Sequence, residues 1–208
     1  MRAISGSSAR NGSNGSNGSS GSSGIRGPAA LGISGMAVSL ALTLLAPGAA
    51  AQDTPPPPAR PADVASIDAI VAAVYEVISG PAGQRRDWDR MRSLFIPGAR
   101  LIPTGRRADG STGHGMLTVD GYISSSGPRL EETGFFETEI HRVEERFGNI
   151  AHLFSTYESR RKADDAQPFA RGINSIQVIF DGTRWWIVTI FWQNERTDTP
   201  IPDKYLKP

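Results

Sequence analysis

The sequence predicts an α+β fold in which helices come first and a long curved antiparallel sheet comes last, and three observations predict it. Apolar residues recur at helical spacing between Ala62 and Gly80. Four β-rich runs follow one another from Phe135 to Glu195 with short turns between them. The last run, RWWIVTIFWQNE over residues 184–195, carries three of the four tryptophans and is apolar on both parities. A strand with one face in water alternates apolar with polar, so this one must be covered on two sides.

The chain has 208 residues of unequal kind. Residues 1–24 are Gly/Ser/Asn-rich and expected to be disordered. Residues 25–51 have the layout of a signal peptide: Arg26, an apolar run from Met36 to Ala46, Pro47-Gly48 and the small triplet Ala49-Ala50-Ala51. The run is shorter than the roughly 20 residues a bilayer-spanning helix needs, so no stable membrane span is expected after cleavage. Export to the periplasm or the exterior is the expectation, with a retained membrane anchor as the alternative. A start at Met36 would leave no positive charge ahead of the apolar run, which favours a start upstream of Arg26. Residues 52–61 are a proline-rich linker. Residues 62–208 then make a single domain, long enough for one substantial core.

The absence of cysteine excludes disulfides, a thiol nucleophile and a lipidated cysteine. Formal net charge is +1, and cleavage after Ala51 removes Arg2, Arg10 and Arg26, leaving 19 basic against 21 acidic residues and a net charge of −2. With Lys and Arg interspersed among Asp and Glu, no nucleic-acid footprint is present.

Val64, Ile67, Ile70, Val71, Val74, Tyr75 and Ile78 share one helical stripe, stopped by Gly80-Pro81. A second helix is expected over residues 84–95, with Trp88, Met91, Leu94 and Phe95 inward and the arginines outward. Two short strands, 99–104 and 116–119, flank a Gly-rich turn, and a short third helix through Gly121 should close at Gly127-Pro128. The four strand runs are separated by Gly148-Asn149, by ADDAQP and by Asp181-Gly182, the last a strong hairpin signal. In the final strand Trp185, Ile187, Thr189 and Phe191 fall on one face, and Trp186, Val188, Ile190 and Trp192 on the other. One face packs under the helices. The other calls for a sister subunit, so a homodimer through the sheet's outer face is expected, with Trp185, Phe191 and Trp192 as candidate interface residues. The alternative is that Trp185 or Trp186 sits beneath the C-terminal tail.

This order of elements, together with FIPGARL (95–101), RFGNIAHLFSTYE (146–158), RGINSIQ (171–177) and the run from Gly182 to Asn194, resembles the nuclear transport factor 2-like (NTF2-like) superfamily, and more closely its SnoaL-like branch. The resemblance covers residues 62–202. It implies a cone-shaped NTF2-like fold whose open end forms a ligand-sized pocket, on a scaffold that hosts isomerases, dehydratases, cyclases, hydrolases and members without chemistry.

Enzymes of that superfamily generally use a carboxylate or histidine base inside the cone. Asp120, Asp164, Asp165 and Asp181 all fall in turns or caps, so the steroid-isomerase and epoxide-hydrolase aspartate patterns do not carry over. On strands, Glu137, Glu139 and His141 share one parity, as do Ser155, Tyr157 and Ser159 on the next. The catalytic candidates are His141, Glu139 and Tyr157, a carboxylate–imidazole–phenol set suited to proton transfer beside a carbonyl. A one-residue slip would separate them. Against this stands a solvated strand face, with Arg142, Arg146 and Arg160 as charge partners. Asn174, Tyr75, Trp88, Met91, Phe95 and Tyr122 are the candidate pocket residues. The three isolated histidines make no metal site, and no cofactor motif occurs. The first expectation is therefore a homodimer that binds a small apolar molecule in the cone. The alternatives are an isomerase, dehydratase or cyclase with a His or Glu base, and a protein-interaction module. A base inside the cone with a perturbed pKa would favour the enzyme, and a wholly apolar cone the binder.

Overall fold

Ser66 decides where the first long helix begins. In the computed structural model, which describes residues 55–107 and 109–206, its hydroxyl accepts the backbone N–H of Ala69. The helix expected over residues 62–80 is therefore split into α1 (Pro61–Val64) and α2 (Ile67–Ile78). A serine oxygen offered to a first-turn N–H starts a new helix rather than continuing an old one. The expected signal peptide lies outside the described residues. Arg90 ties the pieces together through Asp63 and Glu76, each at 2.7 Å.

Helix α3 (Trp88–Leu94) begins later than the periodicity suggests, because Arg86 turns inward instead of outward. Its guanidinium donates to the carbonyls of Ile78, Gly80, Gln84 and Leu130. Glu131 accepts both the Arg86 N–H and the Trp88 indole N–H. A Cβ at Gly80 would lie 2.7 Å from this guanidinium, which explains the glycine. Helix α4 (Val119–Thr133) runs through Pro128 instead of stopping at it. The proline removes one intrahelical bond, while bare Gly127 lets the Trp88 ring approach to 3.0 Å of where a Cβ would stand. The stop is Gly134, at φ 72°.

The strands are β1 (Phe95–Arg106), β2 (Thr112–His114), β3 (Phe136–Phe147), β4 (Ile150–Arg160), β5 (Ala170–Phe180) and β6 (Trp185–Asn194), in the order β2-β1-β6-β5-β4-β3. β3 to β6 form the expected antiparallel meander. The sheet as a whole is mixed, however, because β1 lies parallel to β6, with Leu101 opposite Ile190. Parallel neighbours need a long crossover, and the hairpin, α4 and meander between them supply it. Helices on one side of this curved, unclosed sheet make the α+β cone that the resemblance implies.

Two bulges revise the parity reading. In β3, Glu139 faces Tyr157 but His141 faces Thr156, so Ile140 is the extra residue. In β6, Ile187 faces Val178 but Thr189 faces Gln177, so Val188 is extra. Each extra residue turns the strand's alternation by one position. Trp185, Ile187, Ile190 and Trp192 thus all point to the helix side. Trp185 is only 4% exposed, packed on Phe180 and beneath the Arg146 guanidinium, and Trp192 meets Tyr122 edge to face. Both therefore turn to the helix side and not to the outer face through which a dimer is expected, Trp185 buried and Trp192 half-buried. Phe191 remains on the outer face. Trp186 is held there by Asp181, which accepts its indole N–H, and by Arg184 stacked 3.6 Å from the ring centroid.

The chain's own tail covers part of that outer face. Thr156 donates to the Tyr205 carbonyl, the Tyr205 ring packs on Phe154, and Ile201 is buried. Among the described residues no helix is long and apolar enough to cross a membrane. Trp185→Ala should cost ~3–5 kcal/mol in urea unfolding, as for a buried aromatic emptied from a core. Phe191→Ala should cost about 1 kcal/mol or less. Equal losses at the two sites would contradict the bulge at Val188.

Candidate functional site

Between α2, α4 and the inner face of the sheet lies a cavity of about 190 Å³, smaller than the roughly 300–1,000 Å³ of sites that take drug-sized molecules. Its apolar wall comes from Val74, Ile78, Met91, Leu101, Ile176 and Ile190, and its aromatic wall from Tyr75, Tyr122, Phe135, Tyr157, Phe169 and Trp192. One lining residue carries a charge, and it is Glu137.

Glu137 enters from β3 directly opposite Ser159 of β4, on the stretch before the Ile140 bulge. Ser159 donates to one carboxylate oxygen at 2.9 Å and the Asn174 amide to the other at 3.4 Å. Its own backbone N–H is held by the Ser79 hydroxyl. Burial pushes the carboxyl up to about 7, against the pull of those two hydrogen bonds. With no basic side chain among the lining residues, nothing neutralises the charge that ionisation would place there.

Three phenols surround this carboxyl. Tyr157, opposite Glu139 on β4, lays its ring across Gly172 of β5 and donates to Asn194 Oδ1 at 2.5 Å. A Cβ at position 172 would collide with that hydroxyl, so the glycine sets the phenol's position. Tyr122 comes from α4 and makes no hydrogen bond through its hydroxyl to the described residues, leaving the hydroxyl free for a ligand. Tyr75 comes from α2, where its oxygen receives the Asn174 amide and pairs with Ser155. Burial raises all three phenols, so each is a neutral donor at ordinary pH.

Of the residues nominated from sequence, Tyr75, Met91, Tyr122, Tyr157 and Asn174 line the cavity together. Trp88 and Phe95 do not. Phe95 is buried in the core, and Trp88 packs on α4 at Gly127. The proposed catalytic set is broken. His141 is turned by the bulge to the outer face opposite Thr156. Glu139 remains on the inner face but lies in a neighbouring cleft under α2, bonded to Ser155 and 3.8 Å from Arg142. The carboxylate inside the cone is Glu137, which parity alone did not separate from Glu139. The signal that separates them is local: Glu137 follows Phe135-Phe136, whereas Glu139 leads into the charged run that contains Arg142 and Glu144. Among the described residues no group of three or more His, Asp or Glu is placed to hold a metal ion.

No protein-family model matches the sequence, and no curated protein matches it. Among solved structures, the chain is similar to an NTF-2 like protein of unknown function from Silicibacter pomeroyi DSS-3, at 18% identity and a TM-score of 0.43, covering 63% of this chain and 94% of that one. It is similar to a protein of unknown function with a cystatin-like fold from Nostoc punctiforme PCC 73102, at 11% identity and a TM-score of 0.46, covering 63% and 90%. It is also similar to an NTF2-like protein of unknown function from Shewanella baltica OS155, at 15% identity and a TM-score of 0.37, covering 64% and 98%. At these identities and scores the fold rests on the topology above.

The raised carboxyl has a consequence for stability. Folded Glu137 holds its proton up to about pH 7, whereas the unfolded chain releases it near 4.5. The folded state therefore binds more protons between these values, so stability falls as pH rises through this window, by about 3 kcal/mol. Glu137→Gln should remove that slope and unfold at higher urea than the parent at about pH 8. Parallel urea–pH profiles for the two proteins would show that Glu137 is not desolvated.

Proposed function

We propose that the cone binds a small uncharged molecule and performs acid–base chemistry on it, with Glu137 as the base. The observation that carries this reading is a carboxyl buried in an aromatic cavity, raised to about 7, with no cation beside it. A base poised near neutrality takes and returns protons with least loss of driving force. The lining also argues for the substrate's charge state. An anionic substrate would meet Glu137 and no Arg, Lys or His.

The chemistry that fits is proton removal from a carbon next to a carbonyl. The C–H proton passes to a Glu137 oxygen, and the bonding pair moves onto the carbonyl oxygen. The free Tyr122 hydroxyl stabilises the resulting enolate by donating to it. Glu137 then returns the proton to another carbon, which is isomerisation, or the enolate expels a leaving group, which is elimination. Tyr157 lines the same cavity, but its one hydroxyl proton is held by Asn194, so it shapes the site and Tyr122 is the donor.

We propose further that the protein is an exported homodimer associating through the sheet's outer face. The composition of residues 25–51 supports export. The bare apolar side chains at the far end of the sheet support association, with Phe147 85% and Ile150 57% exposed. Phe147→Asp should lower the mass by half in sedimentation equilibrium if that face joins two copies, while an unchanged mass would remove it from the interface.

The chemical reading is tested with cyclohexanone, a small uncharged ketone, by following hydrogen–deuterium exchange at its α-carbons in D₂O by NMR. Exchange should be accelerated by the parent, with a rate that rises with pH and levels off above about 7 as Glu137 ionises. Glu137→Gln should abolish the acceleration, and Tyr122→Phe should lower it ~10–100-fold. Equal rates for the parent and a folded Glu137→Gln protein would contradict the assignment.

A further inference from the structure

The carboxylate nominated from sequence, Glu139, lies outside the cone yet is joined to the one inside it. Ser155 donates its single hydroxyl proton to a Glu139 oxygen at 2.5 Å. That proton is then spent. The 2.7 Å contact between Ser155 and Tyr75, in which either oxygen could donate, must therefore have Tyr75 as the donor. With the phenolic proton directed at Ser155, the Tyr75 oxygen can only accept from its other side, and there the Asn174 amide donates at 3.0 Å. The second amide proton is directed at Glu137 at 3.4 Å.

We infer that Glu139, Ser155 and Tyr75 are positioning residues that fix which way round the Asn174 amide stands, so that it offers N–H and not C=O to the Glu137 carboxylate. The oxygen and nitrogen of an amide differ little in shape, and their assignment follows from the hydrogen-bond network alone. Here one end of the network is a carboxylate that only accepts, and every bond from it back to Asn174 takes its direction from that end. Were the amide reversed, its oxygen would face the Tyr75 oxygen, whose only proton is already used, and would face the Glu137 carboxylate as well. The first contact would be repulsive at any pH, and the second whenever Glu137 is ionised.

The groups that face Glu137 are Tyr75 from α2, Tyr122 from α4 and Tyr157 from β4, with Asn174 from β5 and Asn194 from β6 carrying no charge. Beyond Tyr75, Glu139 and Arg142 of β3 and Asp68 and Glu76 of α2 line the adjoining cleft. Arg142 pairs with Asp68, which keeps a cation beside the Glu139 end of the chain.

This inference rests on Glu137 occupying the cone and not on its catalysing a reaction, so it is tested without turnover. The probe is the side-chain carboxyl of Glu137 in ¹³C-glutamate-labelled protein, titrated by NMR and assigned with Glu137→Gln. Tyr75→Phe and Ser155→Ala each cut the chain and free the amide to reverse. Each should raise the Glu137 midpoint by about one pH unit, because a carbonyl beside the carboxyl favours its protonated form. Glu139→Gln keeps an acceptor for Ser155 while removing the charge, and should leave the midpoint at or below the parent value. A loss of packing alone would not produce this division between variants. If Tyr75→Phe does not fold, Ser155→Ala carries the test by itself. A folded chain-cutting variant with an unshifted or lowered midpoint overturns the inference, as does a Glu139→Gln midpoint raised like the others. If the midpoints behave as described while cyclohexanone exchange is absent, the positioning chain stands and the base assignment falls.

Discussion

The structure depends on a sheet that curves without losing its inner apolar row. A regular strand cannot do this at both ends, since bending it with an extra residue exchanges its two faces. β6 uses that exchange: the bulge at Val188 lets Trp185 and Ile187 pack beneath α2 and α3 at one end, and Ile190 and Trp192 face the cone at the other. β3 uses it in the opposite sense. Before Ile140 its inward residues are Glu137 and Glu139, and after it they are Arg142, Glu144 and Arg146. The first bulge keeps the core apolar throughout; the second decides which polar residues face inward at all.

The cone gains a carboxyl with no cation from this arrangement, and the cost of that burial falls on the folded state. The inner row of β4, namely Ser155, Tyr157 and Ser159, supplies hydroxyls in place of charges. Hydroxyls and amides satisfy the carboxyl without fixing it in one protonation state, which separates this site from the ion pairs elsewhere in the molecule. At Asp63–Arg90 the guanidinium holds the carboxyl below its ordinary value. At Glu137 burial dominates and the shift has the opposite sign. The two carboxyls show the same physics with and without a counter-charge.

Much of the fold was legible in the sequence. The stripe in α2, the Asp181-Gly182 hairpin and the four strands of the meander all follow from spacing and turn chemistry, and four of the six nominated pocket residues reach the cavity. The misses have a common cause. Neither Ile140 nor Val188 differs from an ordinary strand residue, so the bulges left no mark in the pattern, and His141, Trp185 and Trp192 were assigned by an alternation that the strands do not keep. Pro128 and Arg86 were misread because their positions are settled by contacts across the fold, with Trp88 approaching Gly127 and distant carbonyls receiving the guanidinium. Glu137 stood in view on the right parity. Its apolar neighbours Phe135-Phe136 mark it out locally, and its register against Ser159 sets it in the cone.

The claim beneath all of this is that the Glu137 carboxyl is shielded from water and protonated under conditions where exposed glutamates are ionised. Infrared difference spectroscopy reads this directly in the folded protein. On raising the pH from about 6 to about 8.5, the account predicts loss of a protonated-carboxyl band that is absent from Glu137→Gln at every pH. A parent spectrum without that band at about pH 6, in a protein that is fully folded, would contradict it.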